Sequence, residues 1–344
     1  SQRFDAENAA VIAIDPRSGE ILTMVGSRDY FDDSIDGNFN AATSTSRQPG
    51  STFKPFAYAA AFDRGYTPET IVFDLPTQFN VNCESGDTTS EDGCYSPQNY
   101  DFEFRGPISM REALAQSMNV PAVKTTYLAG LENTLDLARE AGVQSLDRNA
   151  DRYGLSLALG GGEVSLLEMT SAYGVFANDG LRSPYISIQE VKNSKGEILF
   201  EQEDRSEKKR VLDQQVARQI NDILSDNVAR TPAFGASSPL YFPGTDLAAK
   251  TGTTNDYRDA WIIGYTPEIV VGAWAAWHML RAGAAKVVPE VKMAFSMSLW
   301  MAGLVAPLQI LAGDLHGLNT LQHQPAKVAA MEGHYDSHVG APLI

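Results

Sequence analysis

The predicted strands of this 344-residue chain fall into two groups that lie more than 200 residues apart. Short apolar segments bounded by turn residues predict strands at 9–15, 20–25, 248–253, 260–265 and 269–274. The turn at 16–19 joins the first two strands into a β-hairpin, and helices dominate residues 108–141. Two strands early, helices in the middle and three strands late indicate one sheet with the helices packed on it. We therefore predict an α/β fold of the α+β type, with a mixed five-stranded sheet and helices on both faces.

Charge and histidine are distributed unevenly along the chain. The formal net charge is −16, and a chain this acidic lacks the basic face that nucleic-acid binding needs. Residues 275–344 contain four Lys or Arg and four Asp or Glu, so the excess negative charge lies in residues 1–274. All five histidines also lie in 275–344. The composition therefore argues against a nucleic-acid partner, excludes a Ser-His-Asp triad from residues 1–274 and predicts a boundary near residue 275.

Ser51 and Lys54 form a serine–lysine pair within a predicted helix at 51–62. At positions i and i+3 of a helix, the two side chains share a face and can touch. A serine hydroxyl needs a base before it attacks an amide, and an unperturbed lysine is protonated at pH 7. The apolar neighbours Phe53 and Phe56 indicate burial, which lowers the pKa of a lysine. The pair therefore predicts a seryl nucleophile that is activated by lysine.

A second motif, at 117–119, lies at a break between predicted helices. Ser117 can relay a proton to a leaving nitrogen, because its hydroxyl both donates and accepts. The amide of Asn119 can hold a substrate carbonyl and also orient Lys54. This motif carries little information alone, and its meaning comes from its position after Ser51 and Lys54.

The third motif lies on a predicted strand. Lys250 supplies positive charge, and the hydroxyls of Thr251 and Thr253 can bind a substrate carboxylate. Gly252 lets a substrate backbone approach closely. The backbone N–H groups of Ser51 and Thr253 would form an oxyanion hole, in which each donor stabilises the transition state by about 3–4 kcal/mol. The three motifs in this order predict a serine acyltransferase.

These motifs belong to longer strings that resemble one family. The strings are RQPGSTFKPF at 47–56, NYD at 99–101, RGP at 105–107, SMNVPAVK at 117–124, KTGTTN at 250–255 and DAW at 259–261. Through them, residues 9–274 resemble the transpeptidase domain of a class A penicillin-binding protein. The resemblance implies that Ser51 attacks the penultimate D-alanine carbonyl of a peptidoglycan stem peptide and that D-alanine leaves. An amine of a neighbouring stem peptide would then resolve the acyl-enzyme.

The same resemblance implies residue roles, partners and location. The catalytic residues would be Ser51, Lys54, Ser117, Asn119 and Lys250, with Thr251, Gly252 and Thr253 binding the substrate. The partners would be a D-Ala-D-Ala donor, an amine acceptor and β-lactams, which would acylate Ser51 as inhibitors. The enzyme would be associated with the extracytoplasmic, periplasmic face of the bacterial inner membrane. This mechanism needs no metal and no organic cofactor.

Three other functions remain open for the same motifs. A β-lactamase shares them but also needs a glutamate that activates a deacylating water. Glu163 and Glu168 are near in sequence, in a string that itself resembles the penicillin-binding proteins. A D,D-carboxypeptidase would also pass its acyl group to water. A non-catalytic penicillin-sensing module would be acylated but would exchange no peptide.

Cys83 and Cys94 stand eleven residues apart in a long, polar loop predicted at 76–105. They are either two unrelated thiols or a disulfide that closes a short loop, and the Gly, Asp and Ser residues between them favour the disulfide. A disulfide would in turn favour an oxidising, extracytoplasmic compartment. The spacing matches no CxxC metal or redox motif.

Residues 293–313 form a stretch of 21 residues without a formal charge. This length suffices to span the ~30 Å hydrocarbon core of a membrane, so we predict a transmembrane helix. The alternative is a buried helix of a soluble domain. Three basic residues before the stretch weakly place that end on the cytoplasmic side.

The tail resembles a second, unrelated family. The strings at 276–281, 313–320 and 324–334 resemble subunit I of a cytochrome bd-type quinol oxidase. This resemblance implies that Lys327 and Glu332 are polar contacts of a quinol-binding loop. An oxidase fragment is only a remote alternative function, because the haem-ligating helices of that family have no counterpart in this chain. The tail histidines fit no known metal-site spacing. We predict two regions, a transpeptidase domain at 1–274 and an oxidase-like segment at 275–344.

Overall fold

The structure is a computed structural model of the chain, and it describes residues 6–84, 86–89, 93–202, 208–254 and 258–277. The strands are β1 (Ala6–Ile14), β2 (Ile21–Val25), β3 (Ile71–Asp74), β4 (Gly106–Ser109), β5 (Leu181–Arg182), β6 (Glu190–Lys192), β7 (Ile198–Glu201), β8 (Lys209–Arg210), β9 (Ala248–Thr253), β10 (Asp259–Tyr265) and β11 (Val270–Trp277). The α-helices are α1 (Lys54–Asp63), α2 (Met110–Ala115), α3 (Asn119–Ala129), α4 (Leu131–Ala141), α5 (Leu166–Ala177), α6 (Gln214–Ser225) and α7 (Asn227–Phe234).

A five-stranded sheet joins the two ends of the domain in the order β2-β1-β11-β10-β9. The predicted fold class and the five strands are confirmed. Every pairing in this sheet is antiparallel, however, so it differs from the mixed sheet that we expected. The reason is that short connections reverse the chain between β1 and β2, β9 and β10, and β10 and β11. The one long-range pairing, β1 with β11, is antiparallel as well, with Ile12 opposite Gly272.

One face of the sheet carries the hydrophobic core. The cross-strand register places Ile12, Trp274, Trp261 and Lys250 on this face. Helix α5 packs against β1, β10 and β11, and α6 packs against β9. Buried side chains of both helices form one cluster with Ile12, Trp261 and Trp274. This helical layer therefore encloses Lys250. The described residues do not test the prediction that helices also cover the second face.

Local side-chain caps decide where two of the helices begin. Ser109 and Glu112 form a reciprocal capping box at the start of α2, and Ser165 and Glu168 form another at the start of α5. Helix α3 differs, because Met118 precedes it and provides no side-chain cap. The first N–H groups of α3 therefore need acceptors from elsewhere in the fold.

The long loop predicted at 76–105 connects β3 to β4, which pair as an antiparallel ribbon. Within this loop Cys83 and Cys94 form a disulfide, with their Cα atoms 5.9 Å apart. Of the two interpretations of the cysteines, the structure therefore contains the paired one. The disulfide closes a small subloop between the two strands.

Several predictions for the tail lie outside the described residues. These are the transmembrane helix at 293–313, the histidines and the quinol-loop contacts Lys327 and Glu332. Among the helices that the structure does describe, none has the length and apolarity needed to cross a membrane.

Candidate active site

Ser51 lies in a 3-10 turn, Gly50–Phe53, that continues directly into α1. The helix predicted at 51–62 is confirmed, with a tighter first turn. Pro55 occupies the first turn of α1, where its missing N–H removes no hydrogen bond. Residues three apart in a 3-10 turn eclipse each other, so Ser51 and Lys54 lie on one side. Ser51 is half-buried, whereas Lys54 has no exposed surface.

The ammonium group of Lys54 points at the second motif. Its Nζ donates to the backbone oxygen of Ser117 at 2.5 Å and to Oδ1 of Asn119 at 2.7 Å. The hydroxyl oxygen of Ser117 lies 3.5 Å from the same nitrogen. Lys54 therefore has polar partners in an otherwise apolar core, which makes its complete burial tolerable.

Ser117 links α2 to α3 in a left-handed conformation, with φ of +61°. Such a φ is uncommon for a residue other than glycine and costs roughly 1–3 kcal/mol. Backbone hydrogen bonds hold this turn, from Ser117 N to Leu114 O at 3.0 Å and from Met118 N to Ala113 O at 2.9 Å. In this conformation the carbonyl and the hydroxyl of Ser117 both face lysine side chains.

Lys250 reaches the same hydroxyl from β9, an edge strand of the sheet. Its Nζ donates to Oγ of Ser117 at 2.7 Å and to the backbone oxygen of Thr251 at 2.9 Å. Only 3% of Lys250 is exposed. The hydroxyl of Ser117 therefore lies between the amino groups of Lys54 and Lys250.

Burial and like charge lower the pKa values of both lysines. Burial lowers the pKa of Lys54 well below its usual 10.5, and the nearby charge of Lys250 lowers it further. Burial also lowers the pKa of Lys250, to about 7, with a second contribution from Arg230. A neutral lysine can accept a proton, and the lowered pKa values favour the neutral form of both amines, for Lys250 close to neutral pH.

Two glycines allow β9 to approach the segment that carries Ser51. A Cβ added to Gly252 would lie 2.4 Å from Pro49 O and 2.9 Å from Thr52 N. Gly50 has φ of +55°, and a Cβ there would lie 2.5 Å from Thr253 O. The backbones of the first and third motifs are therefore in direct contact, as the predicted oxyanion hole requires.

The side chains of the third motif lie on both faces of β9. Lys250 and Gly252 face the helical layer, and strand alternation places Thr251 and Thr253 on the opposite side of β9. Both threonines are half-buried. Their proposed contact with a substrate carboxylate stays a prediction.

Sequence reasoning missed a buried cation behind the site. Arg230 of α7 is 3% exposed, and its guanidinium donates to the backbone oxygens of Leu224 and, at 3.2 Å, Leu240. Arg230 lines a small cavity together with Lys250 and Thr251. No sequence signal distinguishes it from a surface arginine, because its burial depends on how α7 packs.

Sequence reasoning also gave no role to Asp74 and Asn99, which are buried next to Asn119. Asn99 belongs to one of the strings that carry the family resemblance, and this was the available signal. Among the described residues, no group of three or more acidic, histidine or cysteine side chains is placed to hold a metal ion.

Together these contacts define a serine site served by two buried lysines and a bridging serine, on an antiparallel sheet. The chain matches the family described as penicillin binding protein transpeptidase domain over residues 9–284. Because this match covers most of the chain, the protein belongs to that family. Residues 261–344 also match cytochrome bd terminal oxidase subunit I. Both resemblances are thus confirmed, whereas the boundary near residue 275 stays a prediction.

Individual penicillin-binding proteins resemble this chain in sequence and in structure. Penicillin-binding protein 1A of Neisseria lactamica is 32% identical over 281 residues, which cover 80% of this chain and 33% of that protein. The crystal structure of penicillin-binding protein 1A from Haemophilus influenzae aligns with a TM-score of 0.64 and 25% identity, covering 88% of this chain and 48% of that chain. PonA1 from Mycobacterium tuberculosis, in complex with penicillin V, aligns with a TM-score of 0.63 and 26% identity, covering 80% of this chain and 72% of that chain. The chain thus spans about a third of the length of the curated relative.

Proposed function

We propose that residues 9–274 act as a D-alanyl-D-alanine transpeptidase that cross-links peptidoglycan stem peptides through an acyl-enzyme on Ser51. The observation that carries this proposal is the pair of buried lysines, Lys54 and Lys250, that meet at the hydroxyl of Ser117. Lys54 follows Ser51 by one turn of the same helical segment. The first 277 residues contain no histidine, so these lysines are the available bases. Family membership supports the same reaction.

In the acylation step, Oγ of Ser51 forms a bond to the penultimate D-alanine carbonyl carbon, and its proton passes to Lys54. The oxyanion is stabilised by the backbone N–H groups of Ser51 and Thr253. The amide bond then breaks, and the leaving nitrogen takes a proton from Ser117. Ser117 is replenished by a lysine, because both amines lie next to its hydroxyl. D-Alanine leaves with this proton.

In the second step, an amine of another stem peptide attacks the ester carbonyl and gives one proton to Lys54. As the ester bond breaks, Ser51 takes a proton back from Lys54. Water would compete with this amine if a carboxylate activated it. Glu168 is not free to do so, because Ser145 N and Ser145 Oγ bind its carboxylate at 2.9 and 2.6 Å and Ser165 binds it as well. Glu163 is exposed. These contacts favour a transpeptidase over a β-lactamase.

Further parts of the proposal concern ligands and location. β-Lactams would acylate Ser51, in line with the penicillin V bound to PonA1. The reaction uses only protein groups and substrate, so no cofactor enters it. We place the domain on the periplasmic face of the bacterial inner membrane, where stem peptides lie. We also propose that the residues after β11, which ends at Trp277, are an appended segment outside the catalytic domain.

Intact-mass spectrometry after incubation with benzylpenicillin tests this proposal. Opening of the β-lactam ring releases no fragment, so the wild-type chain should gain the mass of one whole drug molecule. Ser51→Ala should gain none, whereas Ser46→Ala, which alters an exposed serine nearby, should react normally. Drug consumption without a lasting adduct would instead indicate a β-lactamase.

A second assay separates the remaining alternatives. Incubation with a D-Ala-D-Ala peptide and an amine acceptor should yield the amide product. Hydrolysis alone would indicate a D,D-carboxypeptidase, and acylation without any release of D-alanine would indicate a sensing module. No adduct and no drug consumption would refute an acylating site.

A further inference from the structure

Asp74 is a fully buried carboxylate outside the three motifs. It ends β3, where the long loop begins. Its two carboxylate oxygens accept hydrogen bonds from Nδ2 of Asn99 at 2.8 and 2.9 Å, and Oδ2 also accepts from the backbone N–H of Arg105 at 2.9 Å. Burial of a carboxylate costs several kcal/mol unless such donors compensate for it. The side chain that donates hydrogen bonds to it is an amide rather than a cation, so a simple ion pair does not explain its presence.

Asn99 carries this interaction to the start of α3. It is 3% exposed, and its Oδ1 accepts hydrogen bonds from the backbone N–H groups of Asn119 at 3.0 Å and Val120 at 3.2 Å. Met118 offers α3 no side-chain cap, so Asn99 supplies from a distant loop the acceptor that a local cap normally provides. The Asp74 carboxylate polarises the Asn99 amide, which strengthens this acceptor.

The residue before Asn99 fixes the orientation of the Asn119 side chain. Nδ2 of Asn119 donates to the backbone oxygen of Gln98 at 2.8 Å. Because the NH₂ group is engaged there, Oδ1 is left to accept from Lys54 Nζ at 2.7 Å. A flipped amide would instead turn its NH₂ group towards an amine that also donates.

We propose that Asp74 and Asn99 are positioning residues for the acylation step. They hold Gln98 and the first turn of α3 so that the Asn119 amide presents its oxygen to Lys54. Lys54 is thereby kept between Asn119 and Ser117, where it can receive the proton of Ser51. This inference rests on the proposed function, and it assigns to two buried residues a role that neither the motifs nor their burial alone indicates.

A purely structural role is the competing explanation, and it makes a different kinetic prediction. A loop that only contributes to folding would change the melting temperature and the fraction of active protein. It would leave the acylation rate constant of each active molecule unchanged. A positioning role lowers this rate constant and leaves the non-covalent affinity for penicillin close to that of the wild type, because neither residue is expected to touch the drug.

The test measures adduct formation on the full chain with fluorescent penicillin, over a range of drug concentrations that separates initial binding from the acylation rate constant. Rates refer to the fraction of molecules that finally forms the adduct, so misfolded protein does not contribute. Asn99→Ala and the isosteric Asp74→Asn should each lower the acylation rate constant by about 10- to 100-fold, the range for a misplaced catalytic group. Glu84→Gln is the matched control, because it makes the same change from carboxylate to amide in the same loop, at an exposed side chain.

A double variant supplies a rescue experiment. Asp74→Asn combined with Asn99→Asp restores one amide facing one carboxylate, and residue 99 can again accept from the N–H groups of α3. The exchange is imperfect, since the Asn99 amide also donates to Glu103 O at 2.8 Å and a carboxylate cannot. Asn99→Asp is measured alone as well, so that both component changes are known. We expect the double variant to acylate at least about threefold faster than either Asp74→Asn or Asn99→Asp alone, because the two changes are in contact and should not be additive.

Two results would overturn the inference while leaving the proposed function intact. One is wild-type acylation rate constants in both Asn99→Ala and Asp74→Asn. The other is a double variant that acylates no faster than the faster of Asp74→Asn and Asn99→Asp alone. If the wild-type chain itself forms no Ser51-dependent adduct, the proposed function fails, and the inference fails with it.

Discussion

Replacement of Lys250 by methionine should stabilise the protein at neutral pH while it abolishes acylation. Burial lowers the pKa of Lys250 from 10.5 to about 7, a change of about 3.5 units. Each unit corresponds to 1.36 kcal/mol, so burial of this lysine destabilises the folded state by about 5 kcal/mol at pH 7. Methionine has a similar length and no charge, and it removes this penalty. The hydrogen bonds to Ser117 and Thr251 are also lost, at about 1 kcal/mol each.

The sign of the effect follows from proton binding. Between pH 7 and 10.5 the unfolded chain keeps its proton on Lys250, whereas the folded protein increasingly does not. The free energy of unfolding of the wild type therefore rises with pH across this window, and the methionine variant lacks this rise. We expect the variant to be more stable by about 3 kcal/mol at pH 7 and less stable by about 2 kcal/mol near pH 10.5. Removal of the charge near Lys54 acts in the same direction.

Urea unfolding of both proteins at pH 7, 8.5 and 10 measures this difference, provided that the slope with denaturant is unchanged. Lys195→Met is the control, because Lys195 is exposed in a turn and its replacement should change stability equally at all three pH values. The reasoning would be refuted by a Lys250→Met effect that varies by less than about 1 kcal/mol between pH 7 and pH 10. The same variant should be acylated by benzylpenicillin at least about 100-fold more slowly, as expected for a lost proton-transfer group.

Three further predictions address the backbone contacts, the loop and the alternative hydrolase. Gly252→Ala should slow acylation at least about tenfold, since its Cβ would lie 2.4 Å from a backbone oxygen of the Ser51 segment; an unchanged rate in a fluorescent-penicillin assay would contradict this. Replacement of both Cys83 and Cys94 by serine should lower the free energy of unfolding by about 3 kcal/mol, and urea midpoints that match those of the wild type would disprove it. Glu168→Gln should leave the lifetime of the penicillin adduct unchanged; an adduct that lasts ten times longer would show that Glu168 activates a deacylating water.

The sequence predicted those parts of the fold that depend on local patterns. The hairpin of β1 and β2, the three late strands and the helix after Ser51 are each encoded by neighbouring residues. The direction of the pairing between β1 and β11 is not encoded locally, because these strands lie more than 250 residues apart. The expectation of a mixed sheet failed at this point. Both strands pack against α5, so their pairing belongs to the tertiary fold and not to a local pattern.

The same distinction applies to the site. Ser51 and Lys54 could be paired from their spacing alone, and the order of the motifs predicted that Ser117 and Lys250 would join them. The contacts of Arg230 and Asp74 could not be predicted, because a buried arginine or carboxylate resembles a surface residue in the sequence. Asn99 carried a signal through its place in the NYD string, but its contacts were not predictable either. Their partners come from segments that only the tertiary fold brings together.

The features that ordinary folding would avoid are concentrated around one hydroxyl group. Two buried amines face Ser117, which itself has an unfavourable φ, and the helix behind it has no cap of its own. Each feature destabilises the folded chain, and none is needed to enclose the hydrophobic core. The proposed mechanism needs a neutral amine beside Ser51, and such an amine has to be buried, because water would restore the usual pKa of lysine. The gain in the free energy of unfolding that we expect for Lys250→Met therefore measures how much stability the chain loses by keeping Lys250 buried in the site.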